Sequence, residues 1–253
     1  MSDIIQYSIL RYSPSLLSGE TINLGVLIAT DEFAKFEYTK RINRIREFDD
    51  TLNTDVLRLM LNSIKEEVEG DLLTSRRTFD INSFIKFYCK EYNFSEVNTV
   101  RFDNLEQKID EIKKIYLRFD YDVSQRPSYR DELSFLRSLL SEHGKVQPKG
   151  KALGKLNDTV VYDFIVGNYG IKYFSFKSGK DFKKMMNDIK AWAWNCEHYQ
   201  DIQPIIVYST DIIDKVSQEY NEFVIIKNIF NSASDNVFSI EDVSAKLDLL
   251  GVV

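Results

Sequence analysis

Residues 5–12 and 21–29 are two apolar-rich runs, and in the second Ile22, Leu24, Val26 and Ile28 alternate with the residues of the other face. This period of two predicts a pair of strands. The turn is supplied by SPSLLSGE, and FAKFEYT at 33–39 extends the hairpin by a third strand. The pattern then becomes helical. Leu57, Met60, Leu61, Ile64 and Val68 form one stripe from about Thr54, with Gly70 at a C-cap position. DINSFIKFYCKEY predicts a further helix and VNTVRF a short strand. Asn104 with Gln107 caps a helix striped by Ile109, Ile112, Tyr116 and Phe119. The polar DYDVSQRPSYR, which contains Pro127, breaks the pattern and sets a domain boundary near residue 125.

The second half opens on a helix from about Ser128, striped by Leu133, Leu136 and Leu140 and closed by Gly144. A lysine-rich stretch, KVQPKGKALGKLND, precedes strands at 159–166 and 170–177 and a helix at 180–198. PIIVYS reads as a buried strand, followed by a helix at 210–220, a strand EFVIIKN and a C-terminal helix from Ser239. The expected class is α+β in two domains. Residues 1–125 form a hairpin-based sheet with helices, and 126–253 an αββαβ sheet with further elements.

Size and composition agree, because 253 residues exceed a usual single core, and 43% hydrophobic with 13% aromatic residues exclude a disordered chain. No run approaches the roughly 18 apolar residues of a membrane helix, and MSDIIQYSILRYSP has no basic start leading into an apolar core. The expectation is a soluble, cytoplasmic chain without membrane contact. Cys89 and Cys196 are isolated thiols expected in the core. His143 and His198 lack neighbours at zinc spacing, and Cys196 and His198 diverge on a helix, so neither zinc nor a cysteine nucleophile is expected.

Charge changes the picture locally. The net charge is −6, yet residues 145–190 hold ten lysines against Asp158, Asp163, Asp181 and Asp188, which is +6 there and −12 elsewhere. Such a field holds phosphate or an acidic partner, or is only a solvated lysine-rich face. Lys149, Lys151, Lys155, Lys183 and Lys184 are its candidate contacts.

YSILRYSPSLLSGETINLGVLI resembles the opening of the bacterial family catalogued as domain of unknown function 3037, through Arg11, Tyr12, Gly19, Glu20, Asn23, Gly25 and Val26. VNTVRFDN and LEQKIDEIKKIYLRF resemble the end of that domain, so the likeness covers about residues 5–120. No activity comes with the family. Its members occur beside kinase-like toxins and in mobile or defensive gene neighbourhoods, which implies a partner-binding role by association. Arg11 and Glu20 flank the first turn and are expected to pair across it, fixing register or meeting a partner. Gly25, inside a strand, implies a bulge or a close backbone approach.

VVYDFIVGNYGIKYFSFK, residues 160–177, resembles the active hairpin of PD-(D/E)xK nucleases, with Asp163 and Lys177 in place. The carboxylate due two residues before the lysine is Ser175. A neutral hydroxyl does not replace a hard anionic ligand of Mg²⁺. Some superfamily members supply the missing acid from the next helix, and here Asp188 is the candidate, giving a metal pair of Asp163 and Asp188 with Lys177 assisting. KAWAWNC is also similar, weakly, to a helix of the family catalogued as domain of unknown function 1829, and its outward Trp194 is a candidate partner anchor. The resemblances imply a non-catalytic interaction protein of a bacterial or phage defence, counter-defence or toxin-control system, with a protein partner and no cofactor. The alternatives are a Mg²⁺-dependent nuclease and a nucleic-acid binder that does not cleave.

Overall fold

The structure is a computed structural model that describes residues 3–15, 21–74, 79–153, 159–177, 181–197, 202–210 and 217–250. It is a mixed α/β molecule with several sheets, dividing into two compact units, Met1–Phe135 and Leu136–Val253. No helix among the described residues is long and apolar enough to cross a membrane.

The first unit runs β1 (Ile4–Tyr12), β2 (Ile22–Ala29), β3 (Ala34–Tyr38), α1 (Ile42–Phe48), α2 (Thr54–Thr74), α3 (Ile81–Ile85), β4 (Tyr92–Phe94), β5 (Asn98–Arg101) and α4 (Leu105–Tyr116). Single 3-10 turns follow at Arg118–Asp120 and Val123–Gln125, before α5 (Tyr129–Leu140). The sheet order is β3-β2-β1-β4, with β5 also paired to β1, all antiparallel. The expected three-stranded hairpin forms. Leu10 faces Gly25 while Arg11 faces Asn23, so Leu24 is an extra residue and β2 bulges there. Gly25 also lies so near the Phe36 ring that a Cβ would stand 2.5 Å from it, which is the close approach its place in a strand implied. Leu57, Leu61, Ile64 and Val68 of α2 bury their stripe in one cluster with Leu24 and Phe36.

Three local expectations give way here. Gly70 does not end α2, which continues to Thr74; apart from its own turn of helix nothing lies within 4 Å of a Cβ built at Gly70, and a glycine at an open helical site weakens a helix without stopping it. The helix expected over 80–92 stops at Ile85. There Phe84, Tyr88 and Phe94 close into an aromatic cluster, and Lys90 turns the chain at φ 74. The seven-residue α1, held by buried Ile42 and Ile45, is too short to show a period in the sequence. Asn104 behaves as expected, its side chain accepting from the Gln107 N–H at 3.0 Å to cap α4.

The second unit contains β6 (Val146–Pro148), β7 (Lys151–Leu153), β8 (Thr159–Val161), β9 (Phe164–Val166), β10 (Tyr169–Phe176), α6 (Phe182–Glu197), β11 (Gln203–Thr210), α7 (Gln218–Ala233), β12 (Asn236–Ser239) and α8 (Val243–Leu250). Its main sheet has the order β12-β11-β10-β9-β6. β6, β9 and β10 pair antiparallel, whereas β10, β11 and β12 are parallel. β7 and β8 form a separate pair. The lysine-rich stretch therefore carries two short strands, and the strand expected over 159–166 is two, parted at Tyr162 and Asp163.

EFVIIKN, expected as a strand, lies inside α7. Its β-branched run misleads, because Phe223, Ile226, Phe230 and Ala233 are buried at helical spacing while Val224 and Ile225 stay on the surface. The Ser217 hydroxyl caps this helix by accepting from the Tyr220 N–H at 3.1 Å. Ser239 ends β12 and does not begin the last helix. Across the sheet, Phe174 and Phe176 of β10 join α6 and α7 in one apolar cluster.

Gly170 of β10 lies under the fully buried Tyr162 ring, whose carbons would be 2.6 Å from an added Cβ. Gly170→Ala is expected to cost about 1–3 kcal/mol through overpacking against a ring that has no open side to move into. Urea denaturation checks this; a cost below about 0.5 kcal/mol would show that the ring yields.

Candidate functional site

The hairpin of β9 and β10 sets the geometry. Pairing between the two strands ends at Phe164 and Ile171, where the Asp163 N–H still donates to the Ile171 carbonyl at 2.9 Å. One step on, β10 has no further pairing with β9, and the Asp163 carboxylate accepts from the Tyr173 N–H at 2.9 Å. Its charge is paired with Lys172, Nζ lying 3.5 Å from the carboxylate. Asp163 thus satisfies a strand edge as well as a cation.

Ser175 is buried, at 4% exposure, and lies directly opposite Ser209 of β11. The Tyr173 hydroxyl donates to Ser209 Oγ at 2.6 Å, and Ser209 Oγ donates to Ser175 Oγ at 3.2 Å. Alternation along β10 sends Tyr173 and Ser175 to one face and Phe174 and Phe176 to the other. α6 packs on the Phe174 and Phe176 face, through Phe182 and Trp192. Asp188, the proposed replacement acid, is an exposed residue of that helix, on the side of the sheet away from Ser175. Lys177 follows β10 and is half-buried. Among the described residues no three His, Cys, Asp or Glu side chains gather as a metal-binding group.

The lysines of the basic stretch are spread over several elements. Lys149 is an exposed residue at φ 53 whose N–H donates to the Asp163 carbonyl at 2.8 Å, and Lys151 is exposed on β7. Lys183 and Lys184 are exposed in the first turn of α6, where the Asp181 carboxylate accepts from their backbone N–H groups at 3.1 and 3.2 Å. Lys155 lies outside the described residues, as do Gly19, Glu20 and His198. Trp194 projects outward at 60% exposure, as its place off the apolar stripe predicts. Trp192 instead turns its indole N–H to the Val161 carbonyl at 3.2 Å.

In the first unit Tyr12 and Asn23 of the motif serve the fold. Tyr12 donates to the Asp49 carboxylate at 2.5 Å, and burial pushes its phenol well above the ordinary range. The Asn23 side chain donates to the Tyr116 carbonyl at 3.2 Å, tying β2 to α4. Arg11 is half-buried on β1, and its expected partner Glu20 is among the residues not described.

The two thiols differ, which corrects the expectation that both are core residues. Cys89 is exposed because the helix expected to bury it ends four residues earlier. Cys196 is buried beside the Tyr162 hydroxyl at 3.6 Å, and burial pushes its thiol up to about 11. That proton is held more tightly folded than unfolded, so its stabilising effect is full at neutral pH and is lost as pH rises through about 11. At pH 8 a maleimide is therefore expected to label Cys89 within minutes and Cys196 at least about a hundredfold more slowly, until denaturant is added. Equal rates would place Cys196 at the surface.

Sequence reasoning missed Lys172 and Ser209, the partners that hold Asp163 and Ser175. Both depend on register, which a single strand's pattern does not carry. The chain matches no curated protein and no solved structure. Over residues 7–117, from β1 to the end of α4, it matches the family model described as "Protein of unknown function (DUF3037)".

Proposed function

We propose that this is a non-catalytic interaction protein whose second unit is a degenerate, restriction-nuclease-like α+β domain. The carrying observation is the buried Ser175 in its hydroxyl chain, at the position where a nuclease holds its second carboxylate. The use of Asp163 on the Tyr173 N–H and Lys172 supports the same reading, since it spends the remaining carboxylate on structure. With the separate β7–β8 pair as an insertion, the order α5, β6, β9, β10, α6 and β11, with two antiparallel pairings followed by a parallel one, supports the nuclease-like ancestry. The setting, a cytoplasmic bacterial or phage defence, counter-defence or toxin-control system, rests on the resemblance of the first unit.

A protein partner docks on the exposed face of α6 that carries Trp194. Purification with the products of neighbouring genes is expected to retain a stoichiometric partner, and Trp194→Ala to weaken that complex by about thirtyfold or more. Failure to retain any partner, together with turnover of nucleic acid, overturns the proposal. The exposed Lys149, Lys151, Lys183 and Lys184 favour a second reading, binding of nucleic acid without cleavage, and that affinity must fall steeply with salt.

A further inference from the structure

The outer face of α7 carries no charge. Phe223, Ile226, Phe230 and Ala233 turn one side of this helix into the core. On the opposite side Asn221, Val224, Ile225, Asn228 and Ser232 follow at i, i+3, i+4, i+7 and i+11, and all are exposed. Val224 and Ile225 keep 38% and 49% of their surface in water. The charged residues of α7 are Glu219, Glu222 and Lys227, and none lies on this stripe. Glu222 accepts from the Gln218 side-chain amide at 2.9 Å, and Lys227 Nζ sits 5.7 Å from the Tyr208 ring centroid. The exposed residues of α6, by contrast, include Lys183, Lys184, Asp188 and Lys190. β-Branched residues are weaker helix formers than the long charged residues usual on a helix surface. In a lone chain Val224 and Ile225 therefore weaken α7 and leave apolar surface in water as well.

We propose that this face of α7 is the contact between two copies of the chain. Charge and the side-chain amides single out a second copy as the occupant. Each copy carries −6, so two copies repel, and a two-fold contact lays a patch on itself. A charged patch then meets its own charge, whereas an uncharged one does not. The lysine-rich face of α6 fails this requirement and the outer face of α7 meets it. Asn221 and Asn228 stand seven residues apart on the stripe, and each carries both donors and an acceptor. An amide is thus complementary to its own counterpart in the other copy, which a carboxylate or an ammonium group is not. Val224 and Ile225 supply the apolar area between the amides. A face 16 residues long spans about 24 Å, less than a permanent dimer buries, so the association is reversible and depends on concentration. The contact lies on a different helix from Trp194 and does not depend on the nuclease-like reading of the hairpin.

The test is sedimentation velocity of the full chain from about 1 to 200 µM, a range that brackets a micromolar equilibrium. Reducing buffer keeps the exposed Cys89 from joining copies. Monomer is expected to give way to dimer as concentration rises, with the dimer persisting at about 0.5 M salt because no charged contact holds it. Ile225→Lys is expected to weaken the dimer at least about tenfold, since each copy then sets a like charge against the other. Asn228→Asp, nearly isosteric at an exposed position, tests the same face if Ile225→Lys fails to fold, and part of its loss should return in salt. Leu59→Lys, the same kind of change at a 67% exposed residue of α2, is expected to leave the dimer as it is. Monomer throughout the range, growth beyond the dimer, a dimer dissolved by salt, undiminished association in either folded α7 variant, or equal loss in Leu59→Lys overturns the proposal.

Discussion

Phe176→Ala is expected to lower the stability of the second unit by about 3–5 kcal/mol, the range for deleting a fully buried aromatic ring. Phe176 is wholly inaccessible and touches three other rings, Phe223 at 5.1 Å and Phe182 and Phe230 at 6.0 Å between centroids. These rings join β10 to α6 and α7, so the lost ring leaves a cavity between three elements that do not collapse together. Domains have only about 5–15 kcal/mol in total, and the variant is therefore expected to unfold at markedly lower urea with an unchanged slope. A change below about 1 kcal/mol would show that the cluster is loosely packed.

Ser175→Glu separates a degenerate site from a damaged but restorable one. The Oγ it replaces is buried and receives the Ser209 hydroxyl, itself fixed by Tyr173. A carboxylate forced into this place is desolvated, and a loss of roughly 3 kcal/mol or more is expected at neutral pH. Burial raises such a carboxyl above its unfolded value, so protonation is tighter in the folded state. The deficit relative to the unaltered protein should narrow as pH falls toward about 4 and widen as pH rises. Millimolar Mg²⁺ should not reverse it. Recovery of stability with Mg²⁺ would mean that Asp163 and the new carboxylate form a metal pair.

How far these features were legible in the sequence depended on how local each one was. Ile22, Leu24, Val26 and Ile28 revealed a strand, and Asn104 a helix start, because alternation and capping are decided within a few residues. Gly25 revealed a close contact without naming Phe36, which comes from another strand. Val224, Ile225 and Ile226 misled, since β-propensity yields to a helical stripe whose other members lie a turn or more away. Cys89 misled for the related reason that its helix was cut short by an aromatic cluster involving β4. At the hairpin, Ser175, two residues before Lys177, was plain from the sequence, but its bond to Ser209 was not. Parallel strands joined through α6 have no turn to set their register.

The central claim, that the hairpin is a nuclease shell without catalysis, is tested most directly by cleavage of single- and double-stranded DNA and RNA in Mg²⁺ or Mn²⁺, comparing the unaltered protein with Asp163→Ala. The account predicts that both leave every substrate intact at the background rate, because Asp163 is held by the Tyr173 N–H and Lys172 and Ser175 offers no second carboxylate. Metal-dependent cleavage by the unaltered protein that disappears in Asp163→Ala would contradict it.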